Sequence, residues 1–96
     1  MKRILVTGAN KGIGLAIVGE ILASREDTFV LLGARDLGRG EGALGALVER
    51  NPSWRDRVQV LQLDVADEAK VTAAAGQVVA QFGGDSPLYG VVNNAG

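Results

Sequence analysis

Four short apolar runs alternate with three longer segments of helical period, and that alternation limits the fold more than any single residue does. Arg3 to Thr7 is a short β-rich run stopped by Gly8. From Gly12 to Ser24, Ile13, Ile17 and Ile21 recur every four residues, with Val18 and Leu22 widening the stripe; this predicts a helix with one apolar face. Thr28 to Gly33 is a continuous apolar run, as expected of a strand buried on both faces. Leu44, Leu47 and Val48 mark a second helix from Gly38 to Arg50. Gly40, Gly42 and Gly45 each cost it about 1 kcal/mol against alanine, which makes it the expected weak element. Asn51-Pro52-Ser53 ends it, because proline disfavours helical geometry in the residue before it. Val58 to Val65 predicts a third strand. Asp67 to Phe82 predicts a third helix, with Val71, Ala75, Val78 and Phe82 on one face and Asp67-Glu68 at its positive end. Gly83 to Pro87 is a turn cluster, and Leu88 to Asn93 predicts a fourth strand.

Apolar strands joined by helices of ten or more residues require a parallel sheet with right-handed crossovers, so the expected class is α/β in the order β-α-β-α-β-α-β. At 96 residues the chain has the length of one domain. A net charge of −1 argues against nucleic acid as a partner, since neutralising phosphates needs clustered excess cations. The absence of cysteine excludes disulfides, thiolate catalysis and Cys-bearing zinc sites. The absence of histidine removes the commonest general base and metal ligand. The run Ile4 to Val6 is too short for a signal peptide, and nowhere do 18 apolar residues follow one another. The expectation is a cytoplasmic protein with no membrane partner.

The segment between the first strand and the first helix, Val6-Thr7-Gly8-Ala9-Asn10-Lys11-Gly12-Ile13-Gly14-Leu15, carries the chemistry. In an α/β sheet this position sets backbone N–H groups and the positive end of a helix dipole beside a bound phosphate. Glycine is needed where the chain turns tightly, where it approaches the pyrophosphate, and where helix packs on strand; Gly8, Gly12 and Gly14 suit those three roles. The spacing G-x-x-x-G-x-G matches neither a P-loop nor the G-x-G-x-x-G fingerprint, since Ile17 stands where the latter's last glycine belongs.

Thr7-Gly8-Ala9-Asn10-Lys11-Gly12-Ile13-Gly14 resembles the cofactor turn of the short-chain dehydrogenase/reductase superfamily, and most closely that of its carbonyl-reductase-like, NADPH-dependent members. Gly33-Ala34-Arg35-Asp36, Leu63-Asp64-Val65 and Asn93-Asn94-Ala95-Gly96 match further motifs of that family in order and spacing. The resemblance implies a Rossmann-type sheet of strand order 3-2-1-4, with the first two helices on one face and the third on the other. It also implies NADP(H) as cofactor, held by Gly8, Asn10, Lys11, Gly12, Ile13, Gly14, Arg35, Asp64, Val65, Asn93, Ala95 and Gly96. An acidic residue near the end of the second strand would bind a ribose 2′-hydroxyl; here Ala34 and Arg35 stand instead, and a guanidinium can hold a 2′-phosphate bidentately. Lys11 adds a second cation. Asp36 is open between an N-cap and a ribose contact that would weaken this preference. Asp64 resembles the residue that meets the adenine amino group, with a cap on the third helix as the alternative. Asn93 ranks ahead of Asn94 for cofactor contact, and a structural role for both is open.

Family members reduce carbonyls or oxidise alcohols with a tyrosine as acid/base, a lysine four residues later, a serine and a further asparagine. All lie downstream of the Asn-Asn-Ala-Gly motif, where these 96 residues end. Tyr89 is followed at the fourth position by Asn93, so it reads as a packing residue of the fourth strand, and no catalytic residue is expected. The chain therefore reads as the N-terminal cofactor-binding half of a domain of roughly 200–250 residues. The alternatives are a non-catalytic NADP(H)-binding or sensing module acting through a partner, and a remnant that binds nothing. The fourth strand would leave an apolar edge open to self-association.

Overall fold

The apolar runs pair as the alternation requires. The computed structural model describes residues 2–83 and 88–94. Strands β1 (Lys2–Val6), β2 (Thr28–Ala34), β3 (Val58–Gln62) and β4 (Gly90–Val92) form one parallel sheet in the order β3-β2-β1-β4. Leu5 pairs with Leu31 and Val91 across β1's two neighbours, and Leu32 pairs with Val60. Helices α1 (Gly12–Ser24), α2 (Leu37–Arg50) and α3 (Glu68–Phe82) connect the strands.

Because side chains alternate across a strand, the sheet sorts its apolar residues into two layers. Val6, Val30, Leu32 and Val58 face α1 and α2, where Val18, Leu22, Ala43, Leu47 and Val48 are buried against them. Leu5, Leu31, Leu61 and Leu63 face α3, from which only Ala74 and Val78 are buried. Two helices on one face and one on the other is the arrangement the family resemblance implied.

Several local expectations change. On α1 Gly14, Val18 and Leu22 are buried and Ile17 and Ile21 pack partly buried against the same core, but Ile13 is 74% exposed because the first turn opens onto a cleft. On α3, Val71 and Ala75 are exposed, and Ala74 with Val78 carries the contact. The third strand stops at Gln62 instead of Val65, since the Asp64 carboxylate accepts Ala66 N at 3.0 Å and turns the chain. The fourth strand is limited to Gly90–Val92. Tyr89 lies just before it and is 67% exposed, with Lys2 Nζ 4.8 Å above its ring, so it is not the packing residue expected. Residues 84–87 of the turn cluster lie outside the described residues; Gly83, with φ 91°, ends α3.

The glycines of α2 are less of a weakness than their propensity implies. Gly40 is buried, and a Cβ there would sit 2.7 Å from Val60 Cγ1, so its absence lets α2 close onto β3. The segment after Asn51, expected to be only a helix stop, forms a 3-10 helix (Pro52–Arg57) that inserts Trp54 into the larger core. Arg57 at its end donates to Thr28 O and Leu22 O at 3.1 Å each, and also to Arg25 O. One guanidinium thereby holds the α1–β2 joint, where helix carbonyls would otherwise need water.

Candidate functional site

In a parallel sheet every strand points the same way, so the loops that follow the strands gather at one end. Here they enclose an open cleft of about 620 Å³. Gly8 and Asn10 follow β1, Arg35 follows β2, Leu63 to Ala66 follow β3, and Asn94 follows β4; each of them lines the cleft.

The glycine turn is built from left-handed backbone and a close approach. Gly8 (φ 58°) and Gly12 (φ 59°) adopt a conformation that side chains resist. Gly14 is different: a Cβ there would lie 2.3 Å from Gly8 O and 2.9 Å from Ala9 Cα, so any side chain would push α1 off the turn. Ala9 N donates to Gly33 O at 2.8 Å, fixing the turn to β2. From the other side, Asn94 Nδ2 donates to Gly8 O at 3.2 Å. Buried Thr7 completes this join: its Oγ1 accepts Asn94 N at 2.9 Å and donates to Asn93 Oδ1 at 3.1 Å.

The cleft is positive on its glycine side. Lys11 occupies the N-cap position of α1 in extended backbone, makes no side-chain cap, and is followed by no acidic residue in the first turn. The other helices are capped by carboxylates, Asp36 on α2 and Asp67 on α3. The N-terminal N–H groups of α1 therefore keep their dipole uncompensated beside Gly12 and Ile13 in the cleft wall. Among the described residues no carboxylate forms an ion pair with Lys11 or Arg35.

The two carboxylates left open by the sequence take distinct places. Asp36 Oδ1 accepts Arg39 N at 2.9 Å as the cap of α2, and Asp36 does not line the cleft. Asp64 does line it, half-buried, and the α3 cap is made by Asp67.

Of the residues singled out from sequence, the cleft wall brings together Gly8, Asn10, Lys11, Gly12, Ile13, Arg35, Asp64 and Val65. Gly14 lies beneath the turn, packed on Gly8. The wall carries Asn94, while Asn93 Oδ1 accepts from Thr7 Oγ1 beside it. Ala95 and Gly96 lie outside the described residues. Leu63 and Ala66, which flank Asp64-Val65, line the same wall and were not among the residues singled out as cofactor contacts. Among the described residues there is no cluster of acidic side chains that could hold a metal ion, and no helix long and apolar enough to cross a membrane.

Known proteins with this sequence pattern have this architecture. The chain is 42% identical over 94 residues to carbonyl reductase [NADPH] 1 of Macaca fascicularis, covering 96% of this chain and 30% of that protein. It superposes on menthone neomenthol reductase from Mentha piperita with a TM-score of 0.85 at 41% identity, over 100% of this chain and 32% of that one. The N-domain of a bacterial malonyl-CoA reductase, crystallised with NADP, matches at a TM-score of 0.86 and 36% identity, over 99% of this chain and 16% of that one. The chain spans 24–34% of the length of the first curated relatives it matches. The family model for short chain dehydrogenases matches residues 2–96, and with the glycine turn and strand order above, the chain belongs to the short-chain dehydrogenase family.

Proposed function

We propose that the chain forms the NADP(H)-binding part of a short-chain oxidoreductase that reduces small-molecule carbonyls or oxidises alcohols by hydride transfer. The observation that carries this reading is the donor set of the cleft. An uncapped helix N-terminus, a left-handed glycine turn, and two cations without carboxylate partners suit a dinucleotide bearing an extra phosphate. When bound, the nicotinamide supplies or accepts the hydride.

The chain's own residues divide the binding work. Gly8, Gly12 and the first N–H groups of α1 would take the pyrophosphate, and Gly14 keeps that helix close enough to do so. Arg35 and Lys11 would hold the 2′-phosphate. Asp64 would accept from the adenine amino group, with Val65 against the ring; Asn93, Ala95 and Gly96 would bound the ribose side together with Asn94. The names of the carbonyl reductase and of the NADP-bound malonyl-CoA reductase domain support the choice of cofactor. Proton transfer is assigned to groups outside these residues, because the single tyrosine has Asn93 where the family's lysine would stand. That same feature favours a second reading, in which the chain binds NADP(H) without turnover and acts through a partner.

Titration of the 96-residue chain with NADPH and NADH tests the first step. NADPH is expected to bind more tightly, and Arg35→Asp to weaken NADPH on the order of 10- to 100-fold by replacing a charge-assisted pair with repulsion. Unchanged NADPH affinity in that variant would overturn the assignment. Reading the transcript across the Gly96 codon separates the two functions: a following Tyr-x-x-x-Lys supports the oxidoreductase, and an immediate stop supports the binding module.

A further inference from the structure

The backbone that carries Arg35 is pinned on both sides. On one side lies the end of the β2–β3 ladder, where Ala34 stands opposite Gln62 and Ala34 O accepts Leu63 N at 2.9 Å. On the other, Asp36 begins α2, its carboxylate accepting Arg39 N and its carbonyl accepting Gly40 N at 3.0 Å. The carbonyl of Arg35 falls between these anchors, beyond the ladder and before the helix. Gln62 Nε2 donates to it at 3.3 Å, so that a side-chain amide extends the ladder by one bond. Gln62 is exposed at the end of the outermost strand, and no core packing demands a glutamine there.

We propose that Gln62 is a positioning residue for cofactor selectivity: by holding the Arg35 carbonyl, it sets the direction in which the guanidinium enters the cleft. This rests on the NADP(H) reading above. Bidentate recognition of a phosphate depends on the orientation of the guanidinium plane, whereas pyrophosphate binding by the glycine turn does not involve this joint. Loosening the joint therefore weakens NADPH and spares NADH. Two and three residues further on, Asp64 and Val65 line the same cleft, so the end of β3 sets both the adenine corner and the 2′-phosphate corner.

The test is a double-mutant cycle on the 96-residue chain, with dissociation constants for NADPH and NADH and a thermal melt for each protein. Gln62→Leu is expected to lower the NADPH-over-NADH preference by about three- to tenfold, the range of one neutral hydrogen bond, with NADH affinity unchanged. On an Arg35→Ala background the same substitution should change nothing further. Gln62→Met, which keeps the straight stem but not the amide, should reproduce Gln62→Leu. The inference is overturned if the preference is retained in both Gln62 variants, if both cofactors weaken in parallel, or if the loss persists without Arg35. A wild-type chain with no NADPH preference overturns the NADP(H) reading itself. A preference abolished by Arg35→Ala but kept in the Gln62 variants overturns only the role of Gln62.

Discussion

The two faces of the sheet differ in how completely they are covered. Against α1 and α2, the sheet buries Val6, Val30, Leu32 and Val58 beneath Val18, Leu22 and Leu47, and Trp54 closes the end of the layer. Against α3, the layer is thinner, and a groove of about 220 Å³ runs between the helix and Leu5, Leu61 and Leu88. Val71 and Val79 stand at its margin, 40% and 47% exposed, and Val91 on β4 is 56% exposed. The filled face is made by consecutive elements that pack as the chain returns on itself. The open face combines a helix of small residues with an outer strand whose far edge has no partner among the described residues. Stability is thus concentrated on one side, while the cleft sits at the sheet end common to both.

The largest test of this contrast is a pair of truncations followed by urea unfolding. Leu47→Ala, on the filled face, is expected to cost about 2–5 kcal/mol because it removes buried carbons and leaves a cavity. Val78→Ala, beside the open groove, should cost about 1.5 kcal/mol, since the groove already admits solvent and only transfer is lost. Equal costs would break the comparison. A second pair sharpens it within α2. Gly40→Ala must force its methyl against Val60 and is expected to destabilise by about 1–3 kcal/mol. Gly42→Ala meets nothing within 4 Å and should stabilise by about 1 kcal/mol through helix propensity. The smallest effect on stability belongs to Val79→Lys, expected within about 0.5 kcal/mol because the position is exposed. Its value lies elsewhere: the 96-residue chain is expected to self-associate through the apolar groove and the edge of β4, and this charge should reduce that association in sedimentation experiments. A monodisperse wild-type monomer would show that the open face is not adhesive.

Legibility in the sequence followed the range of the physics involved. The period of each segment identified all three helices to within a residue or two, because amphipathic burial is a local pattern. The same period put Ile13 on the buried stripe of α1, where Gly14 stands instead. Three isoleucines outweighed a glycine in hydrophobicity, yet the glycine is what lets the helix touch the turn. Trp54 was invisible as core because the segment around it, Pro52 to Arg57, has no apolar period. Asp36 and Asp64 could each cap or contact a ligand on residue type alone, and only the location of the helix starts showed that Asp36 caps α2 and that Asp67, not Asp64, caps α3.

By itself the sequence determined the order of elements, the parallel sheet, the glycine turn and the family, since each follows from periodicity or from residues adjacent in the chain. The tertiary structure alone decided how the cleft is held together. Thr7 Oγ1 meets Asn94 N across 87 positions, Asn94 Nδ2 meets Gly8 O across 86, and Gln62 reaches Arg35 across 27. A hydrogen bond depends on direction and on distances of about 3 Å. No spacing along a chain encodes such a distance until the strands between the two residues have been brought side by side.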